Sequence, residues 1–92
     1  MKRGNWTSIV DAARAGDFKT TLSMCNECQD VNEKDEFGGT ALMYAVGAHE
    51  ENTARELLRH GADVNIIDDV GQTALDYAVI FGCPDSIIQL LK

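Results

Sequence analysis

Proline occurs once and histidine twice in this 92-residue chain, so neither a proline-rich linker nor a histidine-rich metal tract is available to it. Its three cysteines cannot all pair within one chain, which fits reduced thiols in a cytoplasm better than a disulfide scaffold. No apolar run approaches the roughly 18 residues that a membrane helix needs. Lys2 and Arg3 lack the apolar segment that a secretory leader carries, because Gly4-Asn5-Trp6-Thr7-Ser8 follows them. Basic residues are scarce, with 8 Lys and Arg against 15 Asp and Glu, a formal charge of −7. Such a surface repels phosphate backbones and disfavours nucleic acid as a partner. It either attracts basic partners or serves solubility alone.

The acidity is unevenly placed. Residues 1–34 carry five basic and five acidic side chains, residues 35–67 carry two and six, and residues 68–92 carry one and four. Apolar content of 45% and charged content of 25% are ordinary for a globular domain. The length allows one small domain and makes a large buried active site improbable.

What the chain does have is repetition. Gly38–Val46 reads GGTALMYAV and Gly71–Val79 reads GQTALDYAV, with seven of nine positions identical at a spacing of 33 residues. The same shift places Asp63-Val64-Asn65 on Asp30-Val31-Asn32, Asp68 on Asp35, and Leu90-Leu91 on Leu57-Leu58. One step back aligns Thr73 and Thr40 with Thr7, Leu75 and Leu42 with Ile9, Ala78 and Ala45 with Ala12, and Gly82 and His49 with Gly16. Three units on one period indicate a stacked array.

Each unit reads as a helix, a break and a second helix. Thr40 and Thr73 suit helix N-caps, whose hydroxyls accept from otherwise unpaired backbone N–H groups. Leu42 and Ala45, or Leu75 and Ala78, lie three apart on one helix face. A break is expected around Ala48-His49 and Phe81-Gly82. A second helix then runs through Ala54, Leu57 and Leu58, or through Ile87, Leu90 and Leu91. Gly61 is placed to end the middle one in a left-handed conformation. Asp63 to Gly71 is turn-rich, with Asp68-Asp69 and Gly71 as turn formers.

The order Asp-x-x-Gly-x-Thr-Ala-Leu, then Ala, then Leu57-Leu58-Arg59-His60-Gly61-Ala62-Asp63-Val64-Asn65 resembles the ankyrin repeat from about Trp6 to Lys92. The copy from Asp35 to Ile67 is complete; an abbreviated first unit and a last unit without its outgoing loop flank it. The resemblance implies an all-α solenoid of stacked helix-turn-helix units joined by β-hairpin-like loops, one domain over 1–92 with units of about 5–34, 35–67 and 68–92. Where the family often has Pro-Leu-His, this chain has Ala41-Leu42-Met43 and Ala74-Leu75-Asp76, which removes the family's usual histidine hydrogen bonds. His49 stands where the family commonly has glycine. Asn65 is similar to positions hydroxylated in some eukaryotic ankyrin repeats.

Little in the chain reads as chemistry. Cys25-Asn26-Glu27-Cys28 has C-x-x-C spacing, but a structural zinc needs four ligands and no second pair follows. Cys25 aligns with Leu58 and Leu91, so it reads as a small core residue; Cys28 aligns with Gly61 at a helix exit. His49 and His60 have no nucleophile and orienting acid around them in the register. Gly38-Gly39 lacks the Gly-Lys-Ser/Thr of a phosphate loop. Asp76, an acid in a helix without a paired carboxylate, reads as a surface charge or local acceptor. The chain is therefore read as no enzyme, with no metal and no cofactor.

Stacked repeats expose a concave face, and the resemblance implies protein binding there through loop tips and first helices. Tyr77, Ile80 and Phe81 share a face at i, i+3 and i+4, matched by Tyr44, Gly47 and Ala48 and by Asp11, Arg14 and Ala15. The loop tips add Lys34, Glu36 and Phe37, then Ile67, Asp69 and Val70. Trp6 aligns with Gly39 and Gln72 at the start of the first helix. Phe37, Val70, Ile80 and Phe81 either form an apolar patch for a partner or, for Ile80 and Phe81, fold inward beneath the last loop. The expected partner is a protein, a basic one where the acidic surface takes part, with neither nucleic acid nor membrane involved. Two narrower expectations are an inhibitor or immunity-type protein that masks a basic partner, and an adaptor fragment of a longer array; a Cys-dependent metal or redox protein is a remoter one. Ile88 aligns with Arg55, so the outer face of the last helix is expected to be apolar and covered, by a second copy, a larger partner or further repeats.

Overall fold

The computed structural model describes residues 8–27 and 30–92. Over these residues six helices follow one another: α1 (Ile9–Arg14), α2 (Phe18–Cys25), α3 (Ala41–Gly47), α4 (Glu51–Arg59), α5 (Ala74–Ile80) and α6 (Asp85–Leu90). No strand occurs among the described residues.

The helix starts are written locally. Thr40 Oγ1 accepts from Met43 N at 3.4 Å, and Thr73 Oγ1 accepts from Asp76 N at 3.1 Å. Asp76 returns the bond, accepting from Thr73 N at 3.0 Å, so α5 opens with a reciprocal capping box. Asp17 caps α2 by accepting from Thr20 N at 3.2 Å. In α1 the cap is Ser8, one place later in the register than Thr40. Thr7, which the register aligns with Thr40, lies outside the described residues.

Each first helix ends in the same turn. Asp17 N donates to Ala12 O, Glu50 N to Ala45 O and Cys83 N to Ala78 O, each at 2.9 Å. This six-to-one closure needs a left-handed residue before the donor, supplied by Gly16, His49 and Gly82. Gly61, at φ +94°, ends α4 in the same conformation.

The units then stack, α1 on α3 on α5 and α2 on α4 on α6. Ala12, Ala45 and Ala78 are fully buried at the same register position, where a small side chain lets neighbouring helices approach. Ile9, Leu42, Leu57 and Ile87 fill the space between helix layers, and Cys25 is buried with them. The result is an elongated body of 36 × 25 × 21 Å.

Loops between units double back without forming strands. Asp35 N donates to Gly39 O at 2.9 Å, and Asp68 N to Gln72 O at 3.0 Å. Adjacent tips join through Asp69 N and Phe37 O at 3.1 Å. Gly38 permits this: a Cβ there would stand 2.7 Å from an Asp69 carboxylate oxygen and 2.9 Å from its amide nitrogen. Asn32 ties the first unit to the second, donating to Gly61 O at 3.1 Å and accepting from Asp63 N at 2.7 Å.

The last unit corrects one expectation. Ile88 is half-buried against the core, not displayed on the outer face. Pro84, the register partner of Glu51, is the N-cap of α6, so α6 starts one register position later than α4. The large exposed apolar residues of this unit lie instead at Val70 in its loop and at Val79, Ile80 and Phe81.

Candidate functional site

The carboxylates that shape the loops also build the site. Asp35 accepts from the backbone N–H groups of Phe37 and Gly39 through one oxygen, at 2.9 and 2.8 Å. Its other oxygen accepts from the Tyr44 hydroxyl at 2.5 Å and from Arg14 Nη1 at 3.3 Å. Asp68 repeats the pattern 33 residues later, accepting from Val70 N at 3.0 Å, from Gln72 N at 2.9 Å and from the Tyr77 hydroxyl. Each loop is thereby anchored to the first helix that follows it.

These bonds shape the titration of both pairs. Burial pushes Asp35 up, but the hydrogen bonds from Tyr44, Gly39 and Phe37, with the charge of Arg14, outweigh it and hold the carboxyl below its ordinary value. Asp68 is likewise held low: burial raises it, and the bonds from Tyr77, Gln72 and Val70 prevail. Tyr44 is pushed up to about 12 by burial and by its bond to Asp35. Tyr77 reaches about 12 through its bond to Asp68 and then burial.

Between the first helices and the loops lies a cavity of about 420 Å³. The first unit contributes Ala13, Arg14, Gly16 and Phe18 to its wall, the second Phe37, Gly39, Met43, Tyr44, Gly47 and Ala48, and the third Asp68, Tyr77 and Phe81. The guanidinium of Arg14 lies over the Phe37 ring, 5.7 Å from its centroid. Tyr77 and Phe81 stack at 6.0 Å between centroids. Phe37 and Phe81 stand at the rim, 58% and 52% exposed.

Of the residues singled out from the sequence, the structure brings Arg14, Phe37, Tyr44, Tyr77 and Phe81 together around this one cavity. Lys34, Glu36, Ile67, Asp69, Val70, Gln72 and Ile80 lie outside its wall. Glu36 approaches Arg14 at 4.0 Å without joining the wall. Trp6 lies outside the described residues. Phe81 does not fold inward under the last loop, and Ile80 is also exposed.

Asp68 was readable as a turn former and Asp35 as its register partner, but neither as a site residue. The signal was present as an Asp followed nine residues later by a Tyr, once in each of two units. Cys25 sits in the core with its thiol pushed up to about 11 by burial and then by Glu56, which suits packing and not nucleophilic work. Cys28 lies outside the described residues.

A family model described as ankyrin repeats, in three copies, matches residues 9–92. The chain belongs to the ankyrin-repeat family. No curated protein matches it. The cavity of this ankyrin-repeat chain lies on the side of the stack formed by loops and first helices. Ankyrin repeats are in general modules for protein–protein interaction, and no helix of the described residues is long and apolar enough to cross a membrane.

Proposed function

We propose that this ankyrin-repeat chain works as a non-enzymatic module, its units acting together, that holds a partner protein in the cavity between its loops and first helices. The observation that carries the reading is the aromatic rim: Phe37 and Phe81 are more than half exposed beside a cavity of about 420 Å³. Exposed rings around a concavity are costly in water and favourable once covered. Affinity purification from the native cell, with wild type beside Phe37→Ala and Phe81→Ala, tests it. Both substitutions should weaken capture of the same partner about tenfold or more, as truncation of an aromatic anchor does. Retention of that partner at unchanged affinity by both variants would overturn the reading.

A second reading, an inhibitor-type protein that masks a basic partner, is supported by the charge of −7 and the acidic surplus of residues 35–92. Affinity that falls steeply between low and physiological salt favours it. Self-association through the last unit would use Val79, 65% exposed where its register partner Val46 is fully buried. A monodisperse monomer in sedimentation at high concentration removes that version.

A further inference from the structure

The two Asp–Tyr pairs on the cavity side are alike in every bond but one. In the second unit a single oxygen of Asp35 accepts from both the Tyr44 hydroxyl and Arg14 Nη1. In the third unit the equivalent oxygen of Asp68 accepts from the Tyr77 hydroxyl. Among the described residues no Lys, Arg or His forms an ion pair with Asp68. A carboxylate oxygen can accept two bonds, so this one has an acceptor site to spare.

The register explains the difference. Moving Arg14 forward by 33 residues lands on Gly47, which has no side chain to offer. Gly47, Asp68, Tyr77 and Phe81 all line the cavity, so the open space of the cavity adjoins Asp68, and Gly47 sends no side chain to it as Arg14 does to Asp35. The wall of that space is aromatic: a Cβ on Gly47 would meet a Phe81 ring carbon at 3.6 Å, and Phe81 is stacked on Tyr77.

We propose that this open space receives an arginine side chain of the partner protein, seated against Asp68 and the Phe81 ring as Arg14 is seated against Asp35 and the Phe37 ring. The proposal rests on the partner-binding reading above and names the chemistry the cavity selects. A carboxylate with aromatic walls attracts a cation and rejects phosphate or acidic side chains. Guanidinium is favoured over ammonium because it is planar, weakly hydrated, and able to donate to a carboxylate while lying flat on a ring. The chain's own Arg14 shows both contacts made at once. The net charge of −7 adds long-range attraction for a basic segment.

Two experiments test this while the partner is still unidentified. The first passes pools of labelled peptides over the immobilised protein, each pool randomised except for a central arginine, lysine, citrulline or leucine. The arginine pool should be retained about tenfold more strongly than the citrulline pool, the effect of removing one charge-assisted contact from a nearly isosteric group. Asp68→Asn, which keeps the oxygen that accepts from Val70 and Gln72, should abolish that preference. The second experiment fills the space from within by Gly47→Arg. This variant should melt higher than Gly47→Gln, lose the advantage when Asp68→Asn is added, and no longer prefer the arginine pool. Equal retention of the arginine and citrulline pools, absence of retention of any pool, or no advantage of Gly47→Arg over Gly47→Gln would each overturn the assignment. Should capture of the cellular partner depend on Phe81 but not on Asp68, the arginine site falls while the interface stands. Should it depend on neither, both fall.

Discussion

His49 has φ +59° at a position where the other two units place Gly16 and Gly82. A left-handed backbone costs a residue with a Cβ about 1–2 kcal/mol, which glycine avoids. The imidazole offsets part of that cost, since its Nε2 lies 3.0 Å from Phe81 O in the next unit. We therefore expect His49→Gly to unfold at higher urea than His49→Ala, by about 1 kcal/mol, because alanine keeps the strain and loses the bond. Equal stability of the two variants would show that the backbone at this position is not strained. The departure from glycine was visible in the sequence, but its connection to Phe81 was not, because the partner lies 32 residues away and is a backbone carbonyl.

At the scale of elements, the caps differ between units whose sequences look alike. Met43 and Asp76 share a register position, and only Asp76 has a carboxylate to return the bond from the N-cap. Met43 is buried in the core cluster instead. Thr73→Ala should cost about 1 kcal/mol in denaturant unfolding, and combining it with Asp76→Ala should cost less than the two single changes summed, because they break one reciprocal box. Strict additivity would mean that the two bonds act independently. Helix starts were legible because a capping threonine acts on an amide three residues away. The delayed start of α6 follows from Pro84, and its consequence for Ile88 depends on what α6 packs against.

For the molecule as a whole, the paired Asp and Tyr side chains set the pH range of stability. Asp35 and Asp68 are held below the ordinary carboxylate value near about 3.9. Their contribution is complete above that value and is lost as pH falls through the lower folded values. Tyr44 and Tyr77 are raised to about 12. Their contribution is complete below the ordinary tyrosine value of about 10 and is lost as pH rises towards 12. Urea unfolding across pH should therefore show a plateau with a fall at each end. Tyr77→Phe should lower the plateau by roughly 1 kcal/mol, since the pair is only partly screened from solvent, and should flatten both ends. An unchanged profile in that variant would show that the Asp68–Tyr77 bond does not couple to folding.

The sequence by itself determined the period, the helix pairs and the breaks between them, the capping Thr40 and Thr73, the left-handed end at Gly61 and the buried alanine stripe. These depend on neighbours within a few residues or on a spacing repeated often enough to count. Only the tertiary structure decided which candidate residues meet. Arg14, Phe37, Tyr77 and Phe81 come from three units, and stacking sets their distances to one another. Stacking also separated Ile80 from the cavity while placing Phe81 on it, although both were read as one face of the same helix. The difference between the carboxylate that pairs with an arginine and the one that does not required both levels: the register names Gly47 as the counterpart of Arg14, and the packed units bring Gly47 and Asp68 to the wall of one cavity.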